Sequence, residues 1–272
     1  MVGTKAKEPI SMRDEKVSMG QVYIVGAGPG DPELITVRGQ KLLARADVVL
    51  YTGSLVPEYM LDYCPPEVER IDTRSLVLET WWPLVLERVQ AGKIVVRLQD
   101  GDPSLYGALH ELMVHLWQHE VPFEIVPGVS AFQAAAARLQ VELTVPNLVQ
   151  SIILTRAQGQ TEVPSTEDLA SLASHRASLC LYLSAHHCTK AQEQLLTHYP
   201  PETTMALCYR LGWPDEYVRI GRLDEMAQIT REAQLNRTVL YIISPALEGR
   251  PEARSQLYSP GHAHIFRPHQ TA

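Results

Sequence analysis

The chain has 272 residues, 45% of them hydrophobic and 20% charged, with a formal net charge of -7. That length suits two ordinary domains or one large one with a substantial core. The negative balance argues against a general nucleic-acid binder, and no apolar run approaches the length of a membrane span.

The first 19 residues are polar, with Lys5, Lys7, Arg13 and Lys16 and no apolar segment. They read as a flexible tail, not a secretory leader. Cys64, Cys180, Cys188 and Cys208 form no C-x-x-C pair. They offer no disulfide framework, so a reducing compartment, the cytoplasm, is expected.

Val22 to Val25 reads as the first strand, running into Gly26-Ala-Gly-Pro-Gly-Asp-Pro32. Asp31 and Pro32 have the residue types of a helix N-cap and first helical position. Ile35, Gly39, Leu42 and Ala46 would then share one helix face. The glycine loop invites a dinucleotide reading, but its spacing is G-x-G-x-G-D, not G-x-G-x-x-G. Pro29 and Asp31 also place a ring and a negative charge where a pyrophosphate needs N–H groups. Val48 to Tyr51 is a second strand, and Val68 to Ile71 a short one. Leu78, Trp82, Val85 and Val89 fit a helix that ends at Gly92. Pro83 lies inside it, which predicts a late start or a bend.

The central stretch is Ile94 to Gly107, IVVRLQDGDPSLYG. Ile94 to Leu98 is a β-branched apolar run, a buried strand. Gly101-Asp102-Pro103 repeats the first loop's Gly-Asp-Pro device and predicts a helix start. Leu105, Leu109, Leu112 and Leu116 would form that helix's apolar face. In an open parallel sheet, ligands sit at the carboxyl ends of strands. Asp102 is therefore open to two readings, a helix cap or a ligand contact. Phe123 to Val126 is the next strand. Ser130 and Gln133 form a capping box before Ala134 to Ala137, small residues that allow close packing.

The pattern changes at Leu143 to Leu148, around Pro146 and Asn147. The expected division is residues 1–19 tail, 20–145 first domain, 146–248 second domain and 249–272 tail. In the second domain Ser151 to Thr155, Leu179 to Leu183, Thr204 to Tyr209 and Val239 to Ile243 read as strands. Tyr217 to Ile220 reads as an extra edge strand. Helical patterns lie at 166–174, 188–199 and 223–235. The fold class is α/β.

Asp31, Asp100 and Asp102 stand at strand ends, and Arg97, Arg156 and Arg210 on or just past strands. Such a sheet edge suits a ligand bearing both charges. His186, His187 and Cys188 are adjacent, a poor chelating arrangement, and His262, His264 and His269 lie in the tail. No metal site, Ser-His-Asp order or redox pair stands out.

VYIVGAGPGDPELIT from Val22, RLQDGDPSLYG from Arg97 and VPGVSAF from Val126 resemble the tetrapyrrole methyltransferases. Within that family, YTGSLV at Tyr51, GDPSLYGA at Gly101 and RLGWPDE at Arg210 are most similar to the enzymes acting at C-11 of precorrin-4. The resemblance runs from Val22 to about Leu247.

It implies two α/β domains with a cofactor cleft between them, usually as a homodimer. The implied cofactor is S-adenosylmethionine, with a precorrin as substrate and neither nucleic acid nor membrane as partner. Implied cofactor contacts are Asp100, Gly101, Asp102, Leu105, Tyr106, Ser130, Ala131, Leu183, Leu211 and Thr238. The glycine loop, Gly28, Pro29, Gly30 and Asp31, would face the substrate, with Arg97 and Arg156 beside it. Asp31 and Asp102 are the candidate proton-handling groups. More broadly, arginines among Arg38, Arg97, Arg138, Arg156 and Arg210 are expected to line a locally basic trough. Two positions depart from the family. Asp100 stands where relatives usually have a small or hydroxyl residue, and Leu183 replaces a methionine, so main-chain contacts are the ones expected to persist. Other readings are a methyltransferase of the same fold acting on another precorrin position, a protein or RNA, a nucleotide-dependent oxidoreductase, or a histidine-using tetrapyrrole carrier or chelatase.

Overall fold

The structure, a computed structural model, describes residues 19–159 and 162–249. Residues 1–18 of the expected N-terminal tail, and residues 250–272 of the expected C-terminal tail with His262, His264 and His269, lie outside the described residues.

The first half builds a five-stranded sheet from β1 (Gln21–Gly26), β2 (Val48–Tyr51), β3 (Glu69–Asp72), β4 (Ile94–Gln99) and β5 (Phe123–Val126). Its order is β3-β2-β4-β1-β5 and every pair is parallel. Both faces are covered, which is why these strands read as continuous apolar runs. Tyr23, Val25, Val49, Val96 and Leu98 pack towards α1 (Val37–Leu43). Val22, Ile24, Val48, Leu50 and Val95 pack towards α2 (Leu78–Gln90) and α3 (Leu109–Gln118).

The second half holds β6 (Ile152–Arg156), β7 (Ser178–Tyr182), β8 (Thr204–Tyr209), β9 (Tyr217–Arg222) and β10 (Val239–Ile243). Their order is β6-β7-β10-β8-β9. Only β6 and β7 run parallel; the other pairs are antiparallel. The extra strand predicted at Tyr217 is the edge strand β9. One face carries Leu179, Leu181, Met205, Leu207, Tyr241 and Ile243. It is covered by α5 (Leu169–Ala173), α6 (Cys188–Leu195) and α7 (Met226–Glu232). The other face, Cys180, Ala206, Cys208, Leu240 and Ile242, receives α4 (Ala131–Leu139) through Ala135. So α4, which follows the last strand of the first sheet, packs on the second sheet.

Three helix predictions change. After Asp31-Pro32 the chain makes one turn of 3-10 helix, Pro32–Leu34, with the Asp31 carboxylate accepting the Glu33 N–H at 2.9 Å. α1 starts later, capped by Thr36 through the Gly39 N–H at 3.0 Å. After Asp102-Pro103 the chain turns without becoming helical, and α3 begins at Leu109, so Leu105 is outside it. Left-handed backbone at Tyr106 and Ala108, φ 56° and 51°, breaks the chain's path before Leu109. α2 does begin at Leu78 despite Pro83. The carbonyl that Pro83 cannot satisfy is that of Glu79, an exposed residue that water can serve.

Candidate active site

The carboxyl ends of β1, β4 and β5 meet at three glycines. A Cβ on Gly26 would lie 2.6 Å from Gly128 Cα and 2.8 Å from the Gly101 carbonyl oxygen. One on Gly128 would lie 2.2 Å from the same oxygen. No side chain fits at Gly26 or Gly128, so the three loops stack backbone on backbone. Gly28 and Gly101 exchange main-chain hydrogen bonds at 3.2 and 2.8 Å, and Gly101 has φ 59°.

Asp102 ties this stack together. One carboxylate oxygen accepts the Ser104 N–H at 2.9 Å, and the Ser104 hydroxyl also bonds it. The other accepts the Gly128 N–H at 2.9 Å. Burial pushes this carboxyl up, but the Ser104 and Gly128 bonds outweigh that and hold it below the usual carboxylate range.

The second sheet supplies the facing wall from the residues just past β7 and β8 and just before β10. Leu183, Arg210 and Thr238 all have left-handed backbone, with φ 50°, 46° and 56°, and across the cleft Tyr106 has φ 56°. Non-glycine residues held in that region cluster at ligand sites, because the surrounding fold must offset the strain. Leu183 is 62% exposed and Tyr106 43%.

The two walls are joined at both ends. At one end Trp213 Nε1 donates to the Pro29 carbonyl at 3.2 Å, and the Tyr59 hydroxyl donates to the Gly212 carbonyl at 3.4 Å. At the other, the Ser130 and Tyr182 hydroxyls lie 3.0 Å apart, and the Phe132 N–H donates to the Tyr182 hydroxyl at 3.1 Å. Gln133 completes its half of the predicted capping box, accepting the Ser130 N–H at 2.9 Å. Burial pushes the Tyr182 phenol up to about 12, so it stays neutral.

Between these walls is a cavity of about 290 Å³. Asp100, Gly101, Asp102, Leu105, Tyr106, Ser130, Ala131, Leu183, Leu211 and Thr238 all line it. Pro29 and Arg210 line it too. Gly28, Gly30 and Asp31 do not: Gly28 is paired with Gly101, and Gly30 packs on Trp213.

Most of the arginines expected beside the cavity are also engaged elsewhere. Arg38 pairs with Glu124, Arg138 with Glu216 at 2.6 Å, and Arg156 donates to the Glu162 carbonyl at 3.3 Å. Arg97 lies behind the wall, bonded to Thr73 at 2.9 Å and Thr52 at 3.1 Å and stacked over Trp81 at 5.2 Å. Burial lowers its pKa to about 10, leaving it a cation at neutral pH. Arg210 is held by Asp215 at 2.6 Å and by the Trp213 ring, 3.7 Å away. The rim cation is Arg237, which the sequence reading missed and which carries no motif signal. Tyr182 and Trp213 were also missed as wall residues, although Trp213 lies inside the RLGWPDE segment.

Asp100 lines the cavity and is exposed to solvent through it. Burial raises its carboxyl above the usual range, and the Arg97 cation opposes that rise. Among the described residues, no group of three His, Cys, Asp or Glu side chains is placed to hold a metal ion. Nor is any helix among them long and apolar enough to cross a membrane.

Residues 21–227 match the family described as Tetrapyrrole (Corrin/Porphyrin) Methylases. The chain is 42% identical over 248 residues to the precorrin-4 C(11)-methyltransferase of Pseudomonas aeruginosa, covering 91% of this chain and 98% of that one. It is 39% identical to the cobalt-precorrin-4 C(11)-methyltransferase of Methanocaldococcus jannaschii, covering 91% and 96%. Among solved structures it superposes on a cobalt precorrin-4 methyltransferase with a TM-score of 0.82 at 38% identity, covering 89% of this chain and 100% of that one. A uroporphyrin-III C-methyltransferase from Thermus thermophilus, solved with S-adenosylhomocysteine, matches at TM-score 0.70 and 28% identity, covering 84% and 99%. Two α/β sheets with a loop-lined cavity between them, and a match that spans the folded chain, place this protein in the tetrapyrrole methylase family.

Proposed function

We propose that this chain is an S-adenosylmethionine-dependent C-methyltransferase that acts at C-11 of precorrin-4, or of its cobalt complex, in corrin-ring biosynthesis. The observation that carries the reading is the single cavity at which the loops of the central stretch, the α4 N-terminus and the ends of β7, β8 and β10 converge. Relatives at about 40% identity, named for that reaction, supply the substrate and the ring position.

The cavity suits the cofactor chemically. Leu55, Leu105, Leu183, Leu211, Tyr106 and Tyr182 offer apolar and aromatic wall to a nucleoside, and Asp100 and Arg237 offer opposite charges to a zwitterionic arm. The residues that would hold it are Asp100, Gly101, Asp102, Leu105, Tyr106, Ser130, Ala131, Leu183, Leu211 and Thr238. S-adenosylmethionine, when bound, supplies a methyl group already activated on a sulfonium. The chain's own contribution is then to bind, orient and exclude water, and such positioning is worth several kcal/mol of barrier, about 7–11 at best. Asp102 serves as a positioning group, since both of its oxygens already accept backbone N–H groups. Pro29, Ser54 and Trp213 line the same cavity and would meet the tetrapyrrole, with Arg237 at the rim for one of its carboxylates. The four free cysteines support a reducing compartment, and we place the enzyme in the cytoplasm as a homodimer.

The test is incubation with isotope-labelled S-adenosylmethionine and an enzyme mixture that generates precorrins, followed by NMR of the product. The label is expected at C-11. A methyl at another ring carbon, or none, overturns the assignment.

A further inference from the structure

The carboxylates on the cavity wall differ in what they can still accept. Asp102 has both oxygens engaged by N–H groups at 2.9 Å. Among the described residues, Asp100 has no partner beyond its own backbone N–H and the field of Arg97. The Arg97 guanidinium is held by Thr73 at 2.9 Å and Thr52 at 3.1 Å, not by a carboxylate. It therefore favours an ionised Asp100 without occupying its oxygens.

The cavity that Asp100 lines is largely apolar, with Leu105, Leu183 and Leu211 among its other lining residues. A carboxyl group on such a wall whose side-chain oxygens take no protein partner is a receptor for a cation that brings N–H donors, and the cation itself favours the charged form. Resting on the reading of this cavity as the S-adenosylmethionine site, we infer that the Asp100 side chain accepts the α-ammonium of the cofactor's amino-acid arm. The cofactor's other cation, the sulfonium, is the poorer partner on two grounds. It has no N–H to donate. A carboxylate set against it would also stabilise a charge that is full in the ground state and reduced in the transition state, which opposes the reaction.

The assignment is tested by titration calorimetry on the wild type and on Asp100→Asn, which keeps the shape and removes the charge. Three ligands are compared: S-adenosylhomocysteine, which has the ammonium, S-adenosylmethionine, which adds the sulfonium, and 5′-methylthioadenosine, which lacks the whole amino-acid arm. The Kd for S-adenosylhomocysteine is expected to rise roughly ten- to a hundredfold in the variant, as for the loss of a charge-assisted hydrogen bond. Affinity for 5′-methylthioadenosine should not change, which also shows that the variant is folded. Unchanged S-adenosylhomocysteine affinity, even with turnover lost, overturns the inference. So does an equal loss for both ligands, or a loss for S-adenosylmethionine well beyond that for S-adenosylhomocysteine, which would point to the sulfonium. Failure of the wild type to bind S-adenosylhomocysteine at all would instead remove the cofactor reading itself.

Discussion

The carboxylate of Asp102 accepts the backbone N–H of Gly128 at 2.9 Å, joining the loop after β4 to the loop after β5 across 26 residues of sequence. Its other oxygen accepts the Ser104 N–H at 2.9 Å. An asparagine has only one acceptor oxygen, so it cannot make both bonds. Asp102→Asn is therefore expected to lose roughly 1–3 kcal/mol of stability and to bind S-adenosylhomocysteine more weakly. The effect should depend on pH. Asp102 has its folded-state pKa lowered, so its contribution is complete above the ordinary carboxylate range, about pH 4, and is lost as pH falls through the folded value. Thermal melts of wild type and variant should accordingly differ at neutral pH and converge on acidification. Equal gaps at pH 7 and in strong acid would refute this role.

Gly30 is expected to be intolerant of a side chain. A Cβ there would lie 2.3 Å from Trp213 Cδ1 and 2.6 Å from the Leu211 carbonyl oxygen. Forcing it in should cost about 1–3 kcal/mol and shift the Leu211 and Trp213 side of the cavity. Gly30→Ala should thus lower both Tm and cofactor affinity. In the Trp213→Ala background the same substitution should cost less, because one of the two clashes is gone. Strict additivity in the double variant would rule out the contact as the cause.

Arg97 supports the ionised state of Asp100 from behind the cavity wall. Replacing it by methionine leaves Thr52 and Thr73 to bond each other, already 3.1 Å apart. Burial alone raises the Asp100 carboxyl and Arg97 opposes that rise, so without Arg97 the carboxyl should rise further. The other carboxylate and the cations on the wall, Asp102, Arg210 and Arg237, remain in both proteins, as do Tyr106, Tyr182 and Cys208. Affinity for S-adenosylhomocysteine should therefore fall at a higher pH in Arg97→Met than in the wild type when the solution is acidified. Superimposable pH profiles would show that Arg97 has no such role.

Turnover is expected to persist after exhaustive dialysis against EDTA. The leaving group is already positively charged, and a reduced tetrapyrrole offers electron-rich carbon, so positioning suffices. Loss of activity in the chelator, restored by a divalent metal, would contradict this.

Much of the fold was legible in the chain because it is set by local periodicity and breakers. β2, β5, β8 and β10 occupy the predicted residues, since each is a short apolar run bounded by polar or turn-forming positions. The candidate site was legible in part from strand ends, which gave Asp100 and Asp102, and otherwise through the family resemblance, which implied Leu183, Leu211 and Thr238. Strand ends in an α/β fold carry the loops, and the loops named from the motifs line one cavity.

Only the tertiary structure decided which partner each group takes. Asp102 has the residue type of a helix cap, but the close stacking of Gly26, Gly101 and Gly128 puts the Gly128 N–H within its reach. That bond is made beside the local one to the Ser104 N–H, and left-handed backbone at Tyr106 and Ala108 delays the helix to Leu109. The small residues of α4 signal a close contact, yet nothing local says that the contact is with the second sheet. Strand direction there follows from pairing with β9 and β10, which periodicity does not encode. Arg97 and Arg237 look alike as residues. One is enclosed by Thr52, Thr73 and Trp81 while the other reaches the cavity, because burial is a property of the packed chain and not of the residue.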